Sequence, residues 1–300
     1  SAPQIRINSD TSDGSSTRLT IGRATGSNNF VNGSASGDSA ITFPSNLIFG
    51  VETAEKMRLD SSGRLLLGTT TEGEGTADDL TIANTGSGGI TIRSGTSGEG
   101  NIFFSDGTSG TAEYEGTIQY NHGSNYMLFF TNHEERIRIT STGKFLVGHT
   151  AAHQVAGGDS MVQVQATDST GRISVVQHRN EAEGAPYLSL GKTRGTSNGA
   201  VTVVQSGDTL GTIAFAGGDG TDVQSSAAHI VCQVDGTPGS NDMPGRLLFK
   251  TTADGNSSVT TRLTINQAGN AQFTGIVTAT EFIPTETQLS HRNRIINGNM

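Results

Sequence analysis

Several of the usual means of holding a fold together are scarce in this chain. A single cysteine, Cys232, in 300 residues excludes an internal disulfide framework and any cysteine-rich zinc site. Tryptophan is absent, aromatic residues make up 5% and the hydrophobic set only 32%, so a large compact core is not expected. Charged residues, at 16%, fall below the roughly 25% of ordinary soluble domains, and the chain lacks the high charge that keeps disordered proteins open. The longest apolar run, Tyr126-Met127-Leu128-Phe129-Phe130, is far short of the roughly 18 residues of a membrane span, so membrane insertion is not expected. Basic residues number 19 against 28 acidic ones, for a net charge of -9 and a pI near 5.2. That balance repels phosphate backbones and anionic lipid, which argues against nucleic acid as a partner. The first residues, Ser1-Ala2-Pro3-Gln4-Ile5-Arg6-Ile7, match neither a secretory signal nor a lipidation motif. An extracellular role would then imply release by lysis or by a dedicated apparatus.

Glycine is abundant instead, at 41 of 300 residues, roughly double its average usage. Gly or Pro interrupts almost every ten-residue window, and no sustained apolar spacing of helical period occurs. Strand spacing does recur: Ile5 and Ile7, Leu19 and Ile21, Met57 and Leu59, Leu65 and Leu67, Ile90 and Ile92, Ile137 and Ile139, Phe145 and Val147, Leu263 and Ile265 each sit two apart around a smaller or polar residue. Turn-forming clusters separate them, among them 84–89, 105–110, 217–220 and 253–256, where Gly, Asn and Asp supply positive φ at little cost. The fold class is all-β.

A repeat organises these strands. Lys56-Met-Arg-Leu-Asp-Ser-Ser-Gly63-Arg-Leu-Leu-Leu-Gly68 matches Arg136-Ile-Arg-Ile-Thr-Ser-Thr-Gly143-Lys-Phe-Leu-Val-Gly148 at every basic, apolar and Gly position. A looser copy, Arg262-Leu-Thr-Ile-Asn-Gln-Ala-Gly269, keeps the first half, after which the run to Gly275 reads as carrying one inserted residue. Arg18-Leu-Thr-Ile-Gly is a degenerate fourth. The unit is a hairpin, and an isolated hairpin is marginal in water, so each copy must rest its apolar face on something else. The copies are 80 and 126 residues apart, too unequal for a regular solenoid. They read as closing elements of modules spanning 1–70, 71–155 and 156–275, with a linker at 276–300. So few large apolar residues leave each module short of buried area, and association of identical chains is the simplest remedy. Three copies around a common axis would share one core and cover each other's sheet edges.

The run at 57–70 and the run at 100–122 resemble a module that recurs in tail fibres and tail spikes of bacteriophages. Segments 188–196, 234–249 and 251–255 resemble a second phage-fibre module, and Arg292-Asn-Arg-Ile-Ile-Asn-Gly-Asn-Met300 resembles the opening of a further C-terminal fibre domain, often from phages of aquatic bacteria. The resemblance covers about residues 50–300. It implies an elongated modular fibre of short strands and β-hairpins, an intertwined homotrimeric β-prism or β-helix-like shaft in a virion appendage. It implies binding of the host surface through a distal tip, and no catalytic residue. On this reading the sequence stops where the further domain begins.

Chemical motifs are weak beside it. Leu190-Gly191-Lys192-Thr193 looks like the end of a phosphate-binding loop, but Pro186 stands where the first Gly belongs and no helix signal follows. Gly217-Gly218-Asp219-Gly220-Thr221-Asp222 fits a calcium-binding turn, in one copy only. Glu113 and Glu115, on one face of a strand and roughly 7 Å apart, could serve glycan hydrolysis, although two acids on a solvated face are commonplace. Asp78-Asp79, Glu72 with Glu74, and Glu134-Glu135 read as solvent-facing or turn charges. Of the seven histidines, His122, His133, His149, His153, His178, His229 and His291, only His149 and His153 have a helical metal spacing, in a region patterned for strands. Cys232 reads as a buried strand residue, and Tyr120, His122, Tyr126, Phe129 and Phe130 as a module core. No catalytic, cofactor-binding or metal-binding residue is singled out.

The expectation is a structural, non-enzymatic component of a phage tail fibre, shaft or proximal part. Its partners would be two further copies of itself, other virion tail or baseplate proteins, and a host glycan or receptor met through the tip. The alternatives are a glycan-degrading tail spike and a non-viral extracellular fibre or adhesin.

Overall fold

A computed structural model describes residues 4–8, 18–24, 31–43 and 45–278. Among them are eighteen strands, one 3-10 turn at Gly110–Glu113 and no α-helix, as period-two apolar spacing broken by glycine requires. The chain is all-β, in two compact units, residues 1–93 and 94–300. Unit one holds a three-stranded sheet of β1 (Gln4–Asn8), β2 (Arg18–Arg23) and β3 (Ser39–Thr42), then a four-stranded sheet of β4 (Leu47–Val51), β5 (Ala54–Leu59), β6 (Leu65–Leu67) and β7 (Leu80–Ile82). Unit two opens with a six-stranded sheet of β8 (Glu99–Phe104), β9 (Gly116–Asn121), β10 (Tyr126–Thr131), β11 (Glu134–Ile139), β12 (Phe145–Val147) and β13 (Val162–Val164). A five-stranded sheet comes next: β14 (Thr209–Gly217), β15 (Ser225–Val234), β16 (Gly245–Thr252), β17 (Val259–Ile265) and β18 (Ala271–Phe273). Neighbours in sequence pair within each sheet, antiparallel everywhere except β6–β7 and β12–β13, which are parallel.

The repeated hairpins share one register. Leu47 faces Leu59 and Phe49 faces Met57 in the first, Met127 faces Ile139 and Phe129 faces Ile137 in the second, Leu247 faces Ile265 and Phe249 faces Leu263 in the third. A bulge follows Phe49, Phe129 and Phe249 alike, which bends the strand and increases its twist. The turn between the last two hairpin strands is also shared. The amide of Gly63, Gly143 or Gly269 donates to the carbonyl of Asp60, Thr140 or Asn266 at 3.0, 2.9 and 2.9 Å. The side chain of that first residue accepts the amide four on, from Arg64, Lys144 or Asn270, at 3.0, 3.0 and 2.9 Å. The glycine takes φ of 87°, 82° and 81°, a left-handed conformation costly for other residues. Asp, Thr and Asn interchange because all three accept through a short side-chain oxygen.

The third copy carries no insertion. Thr274 takes the place of Gly68 and Gly148, its amide donating to the Arg262 carbonyl at 3.0 Å as theirs do to Lys56 and Arg136 at 2.9 and 3.0 Å. Beyond that position the first two copies continue alike. After Gly68 and Gly148 a crossover loop leads to the short parallel strand, whose next residue reaches back to the hairpin: Ala83 to the Leu67 carbonyl at 2.9 Å and Gln165 to the Val147 carbonyl at 3.0 Å. A Cβ at Gly68 would lie 2.2 Å from the Ala83 carbonyl oxygen, and at Gly148 2.3 Å from that of Gln165. Only glycine admits the parallel strand there. In the third copy Thr274 stands there, and among the described residues β18 is the edge of its sheet.

The expected strand at Ile90 and Ile92 does not form, and no strand or helix lies between Val164 and Thr209. Both stretches come after a parallel strand and carry strand-like alternation, and neither pairs as a strand among the described residues. Ile90 is 71% exposed and Val201 95%.

Candidate assembly surface

Strand alternation and the shared register put opposite chemistry on the two faces of each hairpin sheet. In the six-stranded sheet one face carries Leu128, Arg138, Leu146 and Gln163, paired in sequence across β10 to β13. Leu146 and Leu128 are buried there. The crossover loop 148–161 is tied onto Gln163, whose side-chain oxygen accepts the His153 amide at 3.0 Å and whose side-chain nitrogen donates to the Ser160 carbonyl at 3.1 Å. Gln163 is therefore a buried polar residue with its groups satisfied. In unit one Leu66 is buried in the place of Leu146, and Thr81 ties the crossover loop by accepting the Gly73 amide at 3.0 Å. A forked ion pair supports this face in both sheets: Arg58 meets Glu55 at 2.8 and 2.7 Å, and Arg138 meets Glu135 at 2.7 and 2.7 Å. The Arg138 guanidinium also lies 4.3 Å from the centre of the Tyr126 ring.

The other face is apolar and open. In the six-stranded sheet it is formed by Ile102 and Phe104, Ile118 and Tyr120, Met127 and Phe129, Ile137 and Ile139, Phe145 and Val147, and Val162 and Val164. Phe104 is 58% exposed and Val162 61%, and the central residues are only half-buried. Phe49, Leu80 and Ile82 are exposed on the matching face in unit one, and Ile213, Leu247 and Phe273 in the five-stranded sheet. Fully buried apolar side chains are few among the described residues: Ala24, Leu66, Leu128, Leu146, Val204, Val231, Val234 and Leu248. Exposed apolar side chains gathered on one face of a sheet mark an interaction surface.

The chemical motifs do not assemble. Gly191-Lys192-Thr193 lies in strandless chain, with Lys192 3.6 Å from Asp208 and the Thr193 hydroxyl donating to the Thr202 carbonyl at 2.9 Å. In the Gly217–Asp222 turn, Asp219 accepts the amides of Thr221 and Asp222 and the Ser225 hydroxyl. These donors, the Thr221 amide foremost, bring its pKa down to about 2. Asp222 is engaged by the amide and side chain of Gln224. Both carboxylates are thus committed to the turn, and no group of three metal-ligating side chains occurs among the described residues. Glu113 ends the 3-10 turn and Glu115 precedes β9, so the pair is not on one strand. Glu115 instead lies 3.6 Å from His133.

Asp78 and Glu72, in the first crossover loop, are counter-ions of Arg64 at 2.7 and 3.7 Å, and Glu72 still faces solvent. Glu134 pairs with Arg136 at 2.9 Å. The rings of His149 and His153 are 6.1 Å apart in the crossover loop, with no helix. Cys232 is half-buried on the open face of β15, not enclosed. The aromatic run divides by alternation, Leu128 inward and Phe129 on the open face. Tyr120 meets His122 edge-on at 4.9 Å. His291 and the resemblance at 292–300 lie outside the described residues. The parallel strands β7 and β13, which close the buried face, escaped sequence reasoning. Their signal is a bare apolar-polar-apolar triplet, Leu80-Thr81-Ile82 and Val162-Gln163-Val164.

No protein-family model and no curated protein matches the chain. Among solved structures it is similar to the carboxy-terminal domain of the bacteriophage T5 L-shaped tail fibre, with TM-score 0.47 and 13% identity over 85% of this chain and 99% of that one. A second structure of that domain, with its intra-molecular chaperone domain, gives TM-score 0.49 and 14% identity over 70% of this chain and 69% of that one.

Proposed function

We propose that the chain is a structural component of a phage-type tail fibre, a shaft or proximal segment built as a homotrimer. The observation that carries this reading is the open apolar face repeated in three sheets of common register. Identical chains offer identical faces, so three copies around an axis bury all of them at once, with the sequence resemblance of 57–70 and 100–122 to phage-fibre modules as independent support. The segments 84–98 and 165–208 gain partners in the same way. The role is mechanical: a stiff spacer holds a distal recognition tip, and repetition on one particle turns weak contacts into avidity. Its partners are other tail or baseplate proteins and, through the tip, a host glycan or receptor. An antibody against the chain should decorate the tail appendages of purified virions and block adsorption. Purified virions that lack the chain would overturn the reading.

A further inference from the structure

We infer that the β8–β9 side of the second face of the six-stranded sheet docks a basic peptide segment of another protein, an arginine side chain seating against Phe103 and Tyr114. The second crossover loop closes that face only at its far side, where Leu146 and Gln163 are buried. On β8 alternation turns Phe103 onto the same face, opposite to Ile102 and Phe104, and leaves it 55% exposed. Its cross-strand neighbour Thr117 is buried, and Phe130 follows in the same row on β10. Tyr114, just after the 3-10 turn, brings its ring to 6.4 Å from that of Phe103, inclined at 57°, and is itself 42% exposed. Two aromatic rings thus stand open on a face that the shared apolar register does not use. The loop that carries Tyr114 is set before any partner arrives: the Ser105 hydroxyl lies 2.6 and 2.9 Å from the Gly107 and Ala112 carbonyls. The amides of Asp106 and Gly107 both donate to the Ala112 carbonyl, at 3.0 and 3.2 Å. Aromatic anchors on a fixed loop lower the ordering cost of docking.

The charge around the rings selects the occupant. Residues 94–135 carry six carboxylates and neither lysine nor arginine. Glu113 and Glu115 flank Tyr114, and Asp106 lies on the same loop. Asp106 and Glu113 have no cationic partner among the described residues, and Glu115 meets only His133, at 3.6 Å. A purely apolar or an acidic segment laid over the rings would desolvate these carboxylates with nothing to compensate them. A guanidinium meets both demands, since its plane stacks on an aromatic face while its N–H groups donate to a carboxylate. Lysine supplies the charge without the plane. The inference rests on the assembly reading in one respect: copies that bury the open apolar faces leave this second face outside.

The test is titration of the full chain, its mass followed by light scattering, with fluorescein-labelled Gly-Arg-Gly-Arg-Gly-Arg-Gly and its lysine and glutamate counterparts, read by anisotropy at about 0.15 M salt. The arginine peptide should bind saturably, the lysine peptide more weakly and the glutamate peptide not at all. Tyr114→Ala should weaken binding about fivefold and Tyr114→Phe should restore most of it, while Phe103→Ala/Tyr114→Ala should cost about tenfold or more. Glu113→Gln should cost about threefold. Glu52→Gln, the same loss of charge at an exposed residue of unit one, should leave binding unchanged. No saturable binding of the arginine peptide, equal losses for Glu113→Gln and Glu52→Gln, or binding indifferent to the double aromatic variant with its fold intact by circular dichroism would overturn the inference. Free argininamide held as tightly as the peptide would overturn it as well, by showing a small-cation site. A trimer that fails to bind sinks the docking site alone, whereas a monomer that binds sinks the assembly reading alone.

Discussion

The second and third hairpins begin alike and end differently. Both carry the bulge after a phenylalanine, the same turn and the same apolar register, yet Leu146 in β12 is 0% exposed while its counterpart Gln272 in β18 lies open. One backbone position differs between them: Gly148 lets β13 approach to a distance that a Cβ would forbid, and the third hairpin has Thr274 in its place. The parallel strand and its crossover loop then bury Leu146, and a buried leucine suits β12 where a glutamine suits β18. Closure of the second hairpin on this face therefore depends on a residue outside the core, Gly148.

Breaking the closed copy should have the largest effect. Leu146→Ala removes a fully buried side chain and should cost about 2–5 kcal/mol, whereas Gln272→Ala should change stability by less than about 0.5 kcal/mol, both measured by denaturant unfolding. Gly148→Ala should cost about 1–3 kcal/mol through its left-handed backbone alone, and more through the clash with the Gln165 carbonyl. It should also abolish hydrogen-exchange protection at the Gln165 amide while Ile137–Ile139 stay protected. Retained protection at Gln165 would show that glycine is not the gate. Arg138→Ala, which removes the forked bond to Glu135 and the contact over Tyr126, should cost about 1 kcal/mol.

Acid should separate the first hairpin from the other two. Bonds from the Arg64 amide and guanidinium hold Asp60 below its ordinary pKa of 3.8; Thr140 and Asn266 in the equivalent turns do not titrate. A carboxylate with a depressed folded pKa contributes stability above its unfolded pKa and loses it as pH falls through the folded value. Asp208, held well below the usual range by the Arg194 guanidinium first and the Gln205 amide next, and Asp219, near 2, act in the same sense. Thermal stability should thus be flat above about pH 4.5 and fall between roughly pH 4 and 2. Below pH 4 the Ser62 and Arg64 amide resonances should shift, and those of Lys144 and Asn270 should hold. Uniform movement of all three turns would contradict the assignment.

Much of this was legible in sequence because it is local. Seven of the eight apolar pairs mark observed strands, and Gly63, Gly143 and Gly269 mark their turns two residues before the second strand begins. What escaped depends on distant chain. The triplets of β7 and β13 are too short to stand out, and their docking rests on a carbonyl approaching Gly68 or Gly148 from fifteen or more residues away. Ile90 and Ile92 failed for the opposite reason: their alternation is sound, but a strand needs a neighbour, and no described segment pairs with them. The pairing of Asp78 and Glu72 with Arg64 went unseen because that partner lies across a loop.

The open apolar faces make assembly the central claim. Light scattering on the purified chain tests it directly. The account predicts a stable species of three times 31.1 kDa, about 93 kDa, that withstands unheated detergent. A folded particle of 31.1 kDa, with the amides of Ile90, Ile92 and residues 170–204 exchanging freely, would contradict it.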